Sequence, residues 1–341
     1  MALLRQVGLL LCVLVLLGAC SRSPEPITLS GSTMGTYWTV RLSSLPASVG
    51  SDQLRAGIEG VLEQVNAEMS TYRDDSVISA FNTTRPGETI ELPPGFAGVL
   101  REALYWAKAT GGSFDPTVGP LVDLWGFGPA GRIEVRPEAE AIARKKERVG
   151  WERLAMQSGP SRIEQPGGLR LDLSGIAKGW GVDKVAEYLQ GAGVENFLVD
   201  IGGDLRVEGV RPDGRGWRVA IERPRSGQRD VHSIIETDAA AIATSGDYRN
   251  FVELDGRHFS HLIDPHTGYP IDHETVSVTV ASPACTTADA LATALHIMPL
   301  EEAWSFAIDR DLAVFWLLVQ DEELVERATP RFLRFLQTGE L

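Results

Sequence analysis

The sequence predicts an α+β fold, mixed sheets with flanking helices, built as a single large domain over residues 31–341. Three observations point there. Segments with apolar residues at helical spacing are interleaved with segments in which they alternate. Connections between the alternating segments carry hairpin signals, where a doubly wound parallel sheet would need helical crossovers. With 341 residues, 43% of them hydrophobic and 23% charged, the chain can bury a sizeable core and lacks the bias of a disordered one.

The first residues read as a targeting segment outside that fold. Arg5 precedes Val7–Leu17, an apolar run interrupted only by Gly8 and shorter than the ~20 residues of a spanning helix. The run ends in Leu17-Gly18-Ala19-Cys20, which resembles the bacterial lipoprotein signal. That resemblance implies a signal peptide over 1–19, a lipid on Cys20 and a stiff polar tether over 20–30. It would place the domain on a membrane facing the periplasm, the inner membrane for preference. The alternative is a plain secretory signal with an incidental cysteine. Cys12 and Cys20 both fall in this segment, so Cys285 has no partner for an internal disulfide. It reads as packing in an apolar, strand-like stretch. A net charge of −14 argues against nucleic acid as a partner. A polyanionic ligand would need local N–H groups, a lysine or a bridging cation.

Along the chain, Gly31–Thr36 reads as a small-residue loop into the strand Tyr37–Leu42. Asp52–Met69 is an amphipathic helix through Leu54, Ile58, Leu62 and Val65. Asp74–Asn82 is a shorter helix, and Pro93–Thr110 a third, with Phe96, Val99, Leu100, Ala103 and Ala107 on one side. Gly111–Pro120 is a breaker-rich loop too elaborate for a mere connection. Arg136–Val149 reads as a charged, helical surface insert. Asn196–Ile201 is a buried strand closed by Gly202-Gly203-Asp204. Trp217–Glu222, Ala240–Thr244 and Phe251–Leu254 are further strands. The last of these turns at Asp255-Gly256 and returns through His258–Ile263. Thr275–Val280 is a strand, and Thr286–Met298 a helix with Ala290, Leu291, Ala294 and Leu295 inward.

Chemistry concentrates first at Leu169–Leu189. A short alternating strand breaks at Ser174-Gly175 and runs into a helix whose apolar positions are Val182, Val185, Ala186 and Leu189. Such a turn gathers backbone N–H groups at the positive end of a helix dipole, which suits phosphate. Asp172 and Lys178 add a carboxylate and a cation to the same corner. An ordinary strand–turn–helix crossover fits the pattern equally. On the last helix, Asp289 and Thr293 stand four apart on one face and can hold a hard cation together with water and a loop carbonyl. Thr286 and Asp289 also have capping-box spacing, and on spacing alone the cap is the simpler reading. His258 and His261, three apart on a strand, face opposite sides and make no metal pair. His261 alone can accept a proton near neutrality, or it is a structural histidine. Tyr72 and Phe114, each in a polar loop, can sandwich an aromatic ring system.

Nine segments, taken in order, resemble the ApbE family of FAD:protein FMN transferases. They are Ser32–Thr36, Met69–Arg73, Ser113–Val122, Trp125–Gly128, Leu171–Gly179, Ile201–Asp204, Thr244–Asn250, Ser260–Pro265 and Ala288–Thr293. The resemblance covers nearly the whole chain after the tether. It implies an ApbE-like fold, FAD as donor and Mg²⁺ as cofactor. The implied reaction moves the FMN half of FAD onto a threonine or serine hydroxyl through a phosphoester, releasing AMP. Acceptors would be flavoprotein domains such as subunits of membrane NADH:quinone reductase. It also implies FAD contacts at Met34, Tyr72, Ser113, Phe114, Asp115, Asp172, Lys178 and Ile263. A metal would lie between the carbonyl of Gly175 and the side chains of Asp289 and Thr293, and His261 would act in transfer. Two positions depart from the family pattern: Ala292, where some members carry an aspartate, and His266, where arginine, lysine or glutamine is usual. An FAD pyrophosphatase yielding FMN and AMP, or a periplasmic FAD-binding lipoprotein, are the competing readings. A metal clamp on the pyrophosphate is superfluous for storage alone.

Overall fold

Strands that are apolar on both faces need cover on both sides, and the central sheet of this protein has it. The structure, a computed structural model, describes residues 25–157, 161–224, 230–247, 250–254 and 256–341. The signal segment with Cys12 and Cys20, together with Tyr248, Arg249 and Asp255, lies outside those residues.

The described chain opens with a hairpin, β1 (Ile27–Thr33) and β2 (Thr36–Leu42), joined by the two-residue turn Met34-Gly35. Both turn residues have positive φ, as this tightest hairpin demands. The loop expected over Gly31–Thr36 is therefore mostly strand. Small residues pair well when a neighbour supplies the ladder, and β1 also takes in Ile27–Ser30 from the segment read as tether. Helices α1 (Ser51–Met69) and α2 (Val77–Thr83) follow, then β3 (Thr89–Glu91) and α3 (Pro94–Ala109), the helices where the apolar period puts them. Short helices α4 (Gly119–Leu124) and α5 (Ala139–Lys146) precede β4 (Met156–Gln157) and β5 (Arg162–Glu164), which join β3 in a small separate sheet.

Leu169–Leu173 corrects another expectation. It is extended and alternately buried, but its only strand pairing among the described residues is a single parallel bridge from Arg170 to Val118. Asn82 replaces the ladder: its side chain donates to the Leu171 carbonyl at 3.0 Å and accepts from the Leu171 N–H at 2.7 Å. Helix α6 (Ala177–Gly191) then leads to β6 (Phe197–Ile201) and β7 (Asp204–Glu208), with Gly202-Gly203 between them at positive φ. These glycines make a hairpin rather than merely ending a strand. The hairpin β8 (Trp217–Arg223) and β9 (Asp230–Thr237) stands apart, followed by β10 (Ala239–Gly246) and a second small hairpin, β11 (Phe251–Leu254) and β12 (Arg257–Ser260). The return arm thus ends before His261. Strand β13 (Thr275–Ser282) and helix α7 (Cys285–Ile297) come next, so Cys285 opens a helix instead of lying in a strand, although it is buried in packing as expected. The chain finishes with α8 (Leu300–Asp309), β14 (Ala313–Gln320), β15 (Glu323–Ala328) and α9 (Pro330–Thr338). The apolar run of β14 is buried on both faces and has no period that separates strand from helix.

The large sheet has the order β1-β2-β6-β7-β10-β13-β14-β15, antiparallel throughout, in line with an α+β fold. Trp38, Val40, Val199, Ala241, Val280 and Trp316 face the layer of α1, α3, α6 and α7. Leu198, Leu205, Ile242, Phe315 and Leu317 face the other way and are covered by the β8–β9 hairpin and by Phe332 and Phe335 of α9.

Helices α6 and α7 pack directly against each other. The Asp183 carboxylate of α6 accepts the Cys285 and Thr286 N–H groups at 3.0 and 2.8 Å, capping α7 from outside. In return, Asp289 of α7 accepts the Gly179 N–H in the first turn of α6 at 2.9 Å. Asp289 is thus no capping-box residue for its own helix, whose N-cap is Ala284 with no side-chain bond. The approach requires glycine at 179, where a Cβ would stand 2.8 Å from the Asp289 Cβ and closer still to the Cys285 carbonyl oxygen. We expect Gly179→Ala to lower stability by about 1–3 kcal/mol in chemical denaturation, the usual cost of overpacking. Gly191→Ala on the same helix, where nothing lies within 4 Å, should leave it nearly unchanged.

Candidate active site

One cavity of about 1380 Å³ opens where the N-terminus of α6, the β6–β7 turn and the loop after β12 converge. Its wall begins with the pinned turn at Ser174-Gly175. Asp172 accepts the Ser174 N–H at 2.8 Å, and the Asp172 N–H donates to Pro116 of the breaker-rich loop at 2.8 Å. The turn offers fewer free donors than its glycine suggests. The N–H groups of Ile176 and Ala177 both go to the Leu173 carbonyl, and that of Gly179 goes to Asp289. Positive charge at this corner comes instead from Lys178.

Lys178 is half-buried, with its ammonium ion-paired to Asp204 and 3.6 Å from Asp289. Burial alone would push its pKa down. The Asp204 and Asp289 carboxylates outweigh that and hold it above the ordinary lysine value, so the cation persists. Asp204 is 2% exposed and also accepts the Thr244 N–H at 3.3 Å. Burial and the Asp204 charge raise Asp289 above the usual carboxylate range, partly offset by Lys178. One helical turn along, the Thr293 hydroxyl lies 3.5 Å from the Gly175 carbonyl oxygen. The corner therefore holds three hard oxygens, from Asp289, Thr293 and Gly175. That set suits Mg²⁺ and lacks the nitrogen and sulfur that softer metals prefer. Ala292 is buried in the helical core and adds no donor. Among the described residues no cluster of three His, Cys, Asp or Glu side chains offers an alternative metal site.

His261 stands one residue past β12. Its Nδ1 lies 3.0 Å from the Asn250 carbonyl. A carbonyl only accepts, so Nδ1 carries the proton and Nε2 keeps the lone pair. Burial depresses its pKa to about 4, with the Asn250 bond opposing, so the ring is neutral at pH 7.

The remaining expected residues line the same cavity. Met34 reaches it from the first hairpin turn, at φ 49°. Tyr72 is exposed and donates its hydroxyl to the Phe127 carbonyl at 3.0 Å, while Ser113 and Phe114 are buried. Asp115 borders it but is committed to its own loop, accepting the Thr117 N–H at 2.7 Å and hydroxyl at 2.6 Å and the Trp151 N–H at 3.3 Å. Ile263 is buried against Leu121, Trp125 and Ile142. Ile142 belongs to α5, so the charged insert of unassigned purpose buttresses the His261–Pro265 loop. His266 ties that loop to the Gly111 carbonyl at 3.0 Å.

All twelve expected positions within the described residues thus share one cavity. The ApbE family model matches residues 34–316, most of the chain. The chain belongs to the ApbE family. A relative from Vibrio cholerae, named FAD:protein FMN transferase, is 44% identical over 326 residues, covering 96% of this chain and 97% of that protein. One of the same name from Haemophilus influenzae is 40% identical over 330 residues, with 95% of each covered. The solved structure of the flavin transferase ApbE from Vibrio cholerae superposes with a TM-score of 0.85 at 44% identity, covering 92% of this chain and 99% of that one.

Within this ApbE-family fold, three residues were not foreseen in their roles: Asp204, Asn250 and Asp183. Asp204 and Asn250 fall inside segments that carry the resemblance, yet their partners Lys178 and His261 are fixed only by folding. Asp183 has no local signal, since it caps a helix 102 residues away.

The depressed histidines predict how stability responds to acid. Burial holds His296 at about 3 and His261 at about 4, both below the ordinary value of 6.5. Below about pH 6.5 the unfolded chain therefore binds protons that the native one refuses, and stability falls until the folded pKa values are reached. His296 alone should cost about 2 kcal/mol by pH 5, at 1.36 kcal/mol per unit. Raised carboxylates such as Asp289 act in the opposite sense, so the test is comparative: urea midpoints from pH 7.5 down to 4.5 should fall more steeply for the wild type than for His296→Gln, and equal slopes would contradict the assignment.

Proposed function

We propose that this protein transfers the FMN half of FAD to a threonine or serine hydroxyl of a partner flavoprotein, with Mg²⁺ as cofactor. The observation that carries the reading is His261, neutral and oriented by Asn250, in one cavity with Lys178 and the oxygen set of Asp289, Thr293 and Gly175. Relatives of up to 44% identity over nearly their full length, named FAD:protein FMN transferase, support it.

In this scheme Nε2 of His261 takes the proton of the acceptor hydroxyl. The hydroxyl oxygen then bonds to the FMN-side phosphorus, the P–O bond to the bridging oxygen breaks, and AMP leaves with that oxygen. Lys178, kept cationic by Asp204, offsets phosphate charge in a protein whose overall field is negative. Gly175, Asp289 and Thr293 would hold Mg²⁺, which when bound neutralises charge on the phosphoryl oxygens and leaving group. Tyr72 and Phe114 offer aromatic faces to the flavin. Phe127 lies edge-on to the His261 ring at 6.3 Å.

The working place follows from Leu17-Gly18-Ala19-Cys20. A lipid on Cys20 would hold the enzyme on the periplasmic side of a membrane, beside acceptors such as subunits of membrane NADH:quinone reductase. Attack by water in place of the acceptor would yield FMN and AMP from the same residues.

The test mixes the chain lacking residues before Cys20 with FAD, Mg²⁺ and an acceptor domain, and follows a fluorescent flavin–protein adduct together with AMP. AMP without adduct would replace transfer by hydrolysis. His261→Ala should reduce transfer about 10²–10⁴-fold while FAD affinity, measured by fluorescence titration, changes little. The acid limb of the wild-type rate should be half-maximal near pH 4, because the base stays unprotonated down to its depressed pKa. A half-point near 6.5 would instead mean a base at the ordinary histidine value and would overturn the depressed pKa. Chelation by EDTA should abolish transfer, with recovery on adding Mg²⁺. Asp289→Ala should raise the Mg²⁺ concentration needed for half activity at least tenfold.

A further inference from the structure

The cavity is larger than the ~300–1,000 Å³ of an ordinary small-molecule site. It does not stop at the flavin-side corner. It continues past the Gly202-Gly203 turn onto the opposite face of the sheet, where it runs between β2 and the β8–β9 hairpin. Tyr37, Thr39 and Arg41 alternate along β2 on that face, while Trp38, Val40 and Leu42 point to the helices. Leu198 and Leu205 form its apolar floor. From Tyr37 to Arg41 the run is about 13 Å at ~3.3 Å per residue, the length of four extended residues.

Two features specify what fits there. The first is a strand edge. Strand β8 pairs only with β9 among the described residues, and the cavity touches Arg218, Val219 and Ala220 in succession. Successive side chains of a strand point to opposite faces, so contact with three in a row means the groove meets β8 edge-on, along unpaired backbone groups. The second feature is charge. Arg41 and Arg218 are both exposed, and neither has a hydrogen-bond or ion-pair partner among the described residues. The carboxylates bordering the same groove, Asp200 and Glu222, are already engaged, Asp200 by the Gly203 N–H at 2.9 Å. In a chain of net charge −14, the groove therefore presents two uncommitted cations.

We propose that this groove binds the acceptor: an extended segment of the partner protein that lies along the free edge of β8, with a carboxylate side chain of that segment meeting Arg41 and Arg218. The inference rests on the transfer reading, for it supplies the second substrate of that reaction. Edge pairing gives affinity without side-chain selection, and the two guanidinium groups give selection. The groove's continuity with the His261 cavity delivers the hydroxyl to the base while the rest of the partner stays outside.

The test uses the chain from Cys20 with FAD, Mg²⁺ and, as probe, the flavin-accepting domain of a membrane NADH:quinone reductase. A second form of that domain has every Asp or Glu of the extended segment that carries the modified hydroxyl replaced by lysine. The double variant Arg41→Glu/Arg218→Glu should show a KM for the native acceptor raised about tenfold or more. Its kcat, FAD affinity and release of AMP to water should stay within twofold of wild type, which also establishes that it folds. With the lysine-bearing acceptor the order should reverse, the double variant outperforming wild type. An unchanged KM, or no reversal, overturns the groove while wild-type adduct formation leaves the transfer reading standing. No adduct from the wild type overturns both.

Discussion

Two helix starts hold one another in this protein, and the rest of the site depends on that exchange. Asp183 of α6 caps α7, and Asp289 of α7 accepts an N–H from the first turn of α6. Each bond satisfies a backbone donor that helix geometry leaves open, and each costs the burial of a carboxylate. The arrangement is stable because every buried acid has a partner: Asp183 also meets Arg206 at 3.1 Å, and Asp289 meets Lys178. The missing side chain at Gly179 allows the contact, and the contact brings Thr293 to the Gly175 carbonyl. The set of three hard oxygens is thus a by-product of helix packing.

Charge in the cavity is arranged against the protein's own field. A net charge of −14 repels a dinucleotide at a distance, so attraction has to be local. In the proposed reaction Lys178 provides it beside the α6 turn, held cationic by Asp204. Arg41 and Arg218 provide it along the groove. His261 carries no charge, since burial keeps it neutral and a backbone carbonyl fixes its tautomer. Cationic side chains and a neutral imidazole are thereby kept apart within one space.

Much of this was legible in the residues. Helices α1, α3 and α6 follow their apolar period closely, the strands β2 and β13 their alternation, β6 its continuous apolar run, and the β11–β12 hairpin its turn signal. The site residues were legible only as a set, through segments in a known order, because each alone had an ordinary explanation. Where the reading failed, a non-local partner had intervened. Small residues in β1 became strand because β2 lay beside them, and Leu169–Leu173 lost its ladder because Asn82 took its place. Asp289 had the spacing of a local cap, but its acceptor capacity went to the neighbouring helix. The run in β14 carries no period because both of its faces are buried.

By itself the sequence determined the kinds of element, most of their extents, the α+β class and the family to which the chain belongs. These depend on interactions within a few residues or on the linear order of short segments. Only the tertiary structure decided which acid meets Lys178, that Nε2 of His261 is the free nitrogen, and that the cavity continues to Arg41 and Arg218. Lys178 and Asp204 are 26 residues apart, Gly179 and Asp289 110. At such separations the pairing of charges is set by how layers pack, which spacing along the chain does not encode.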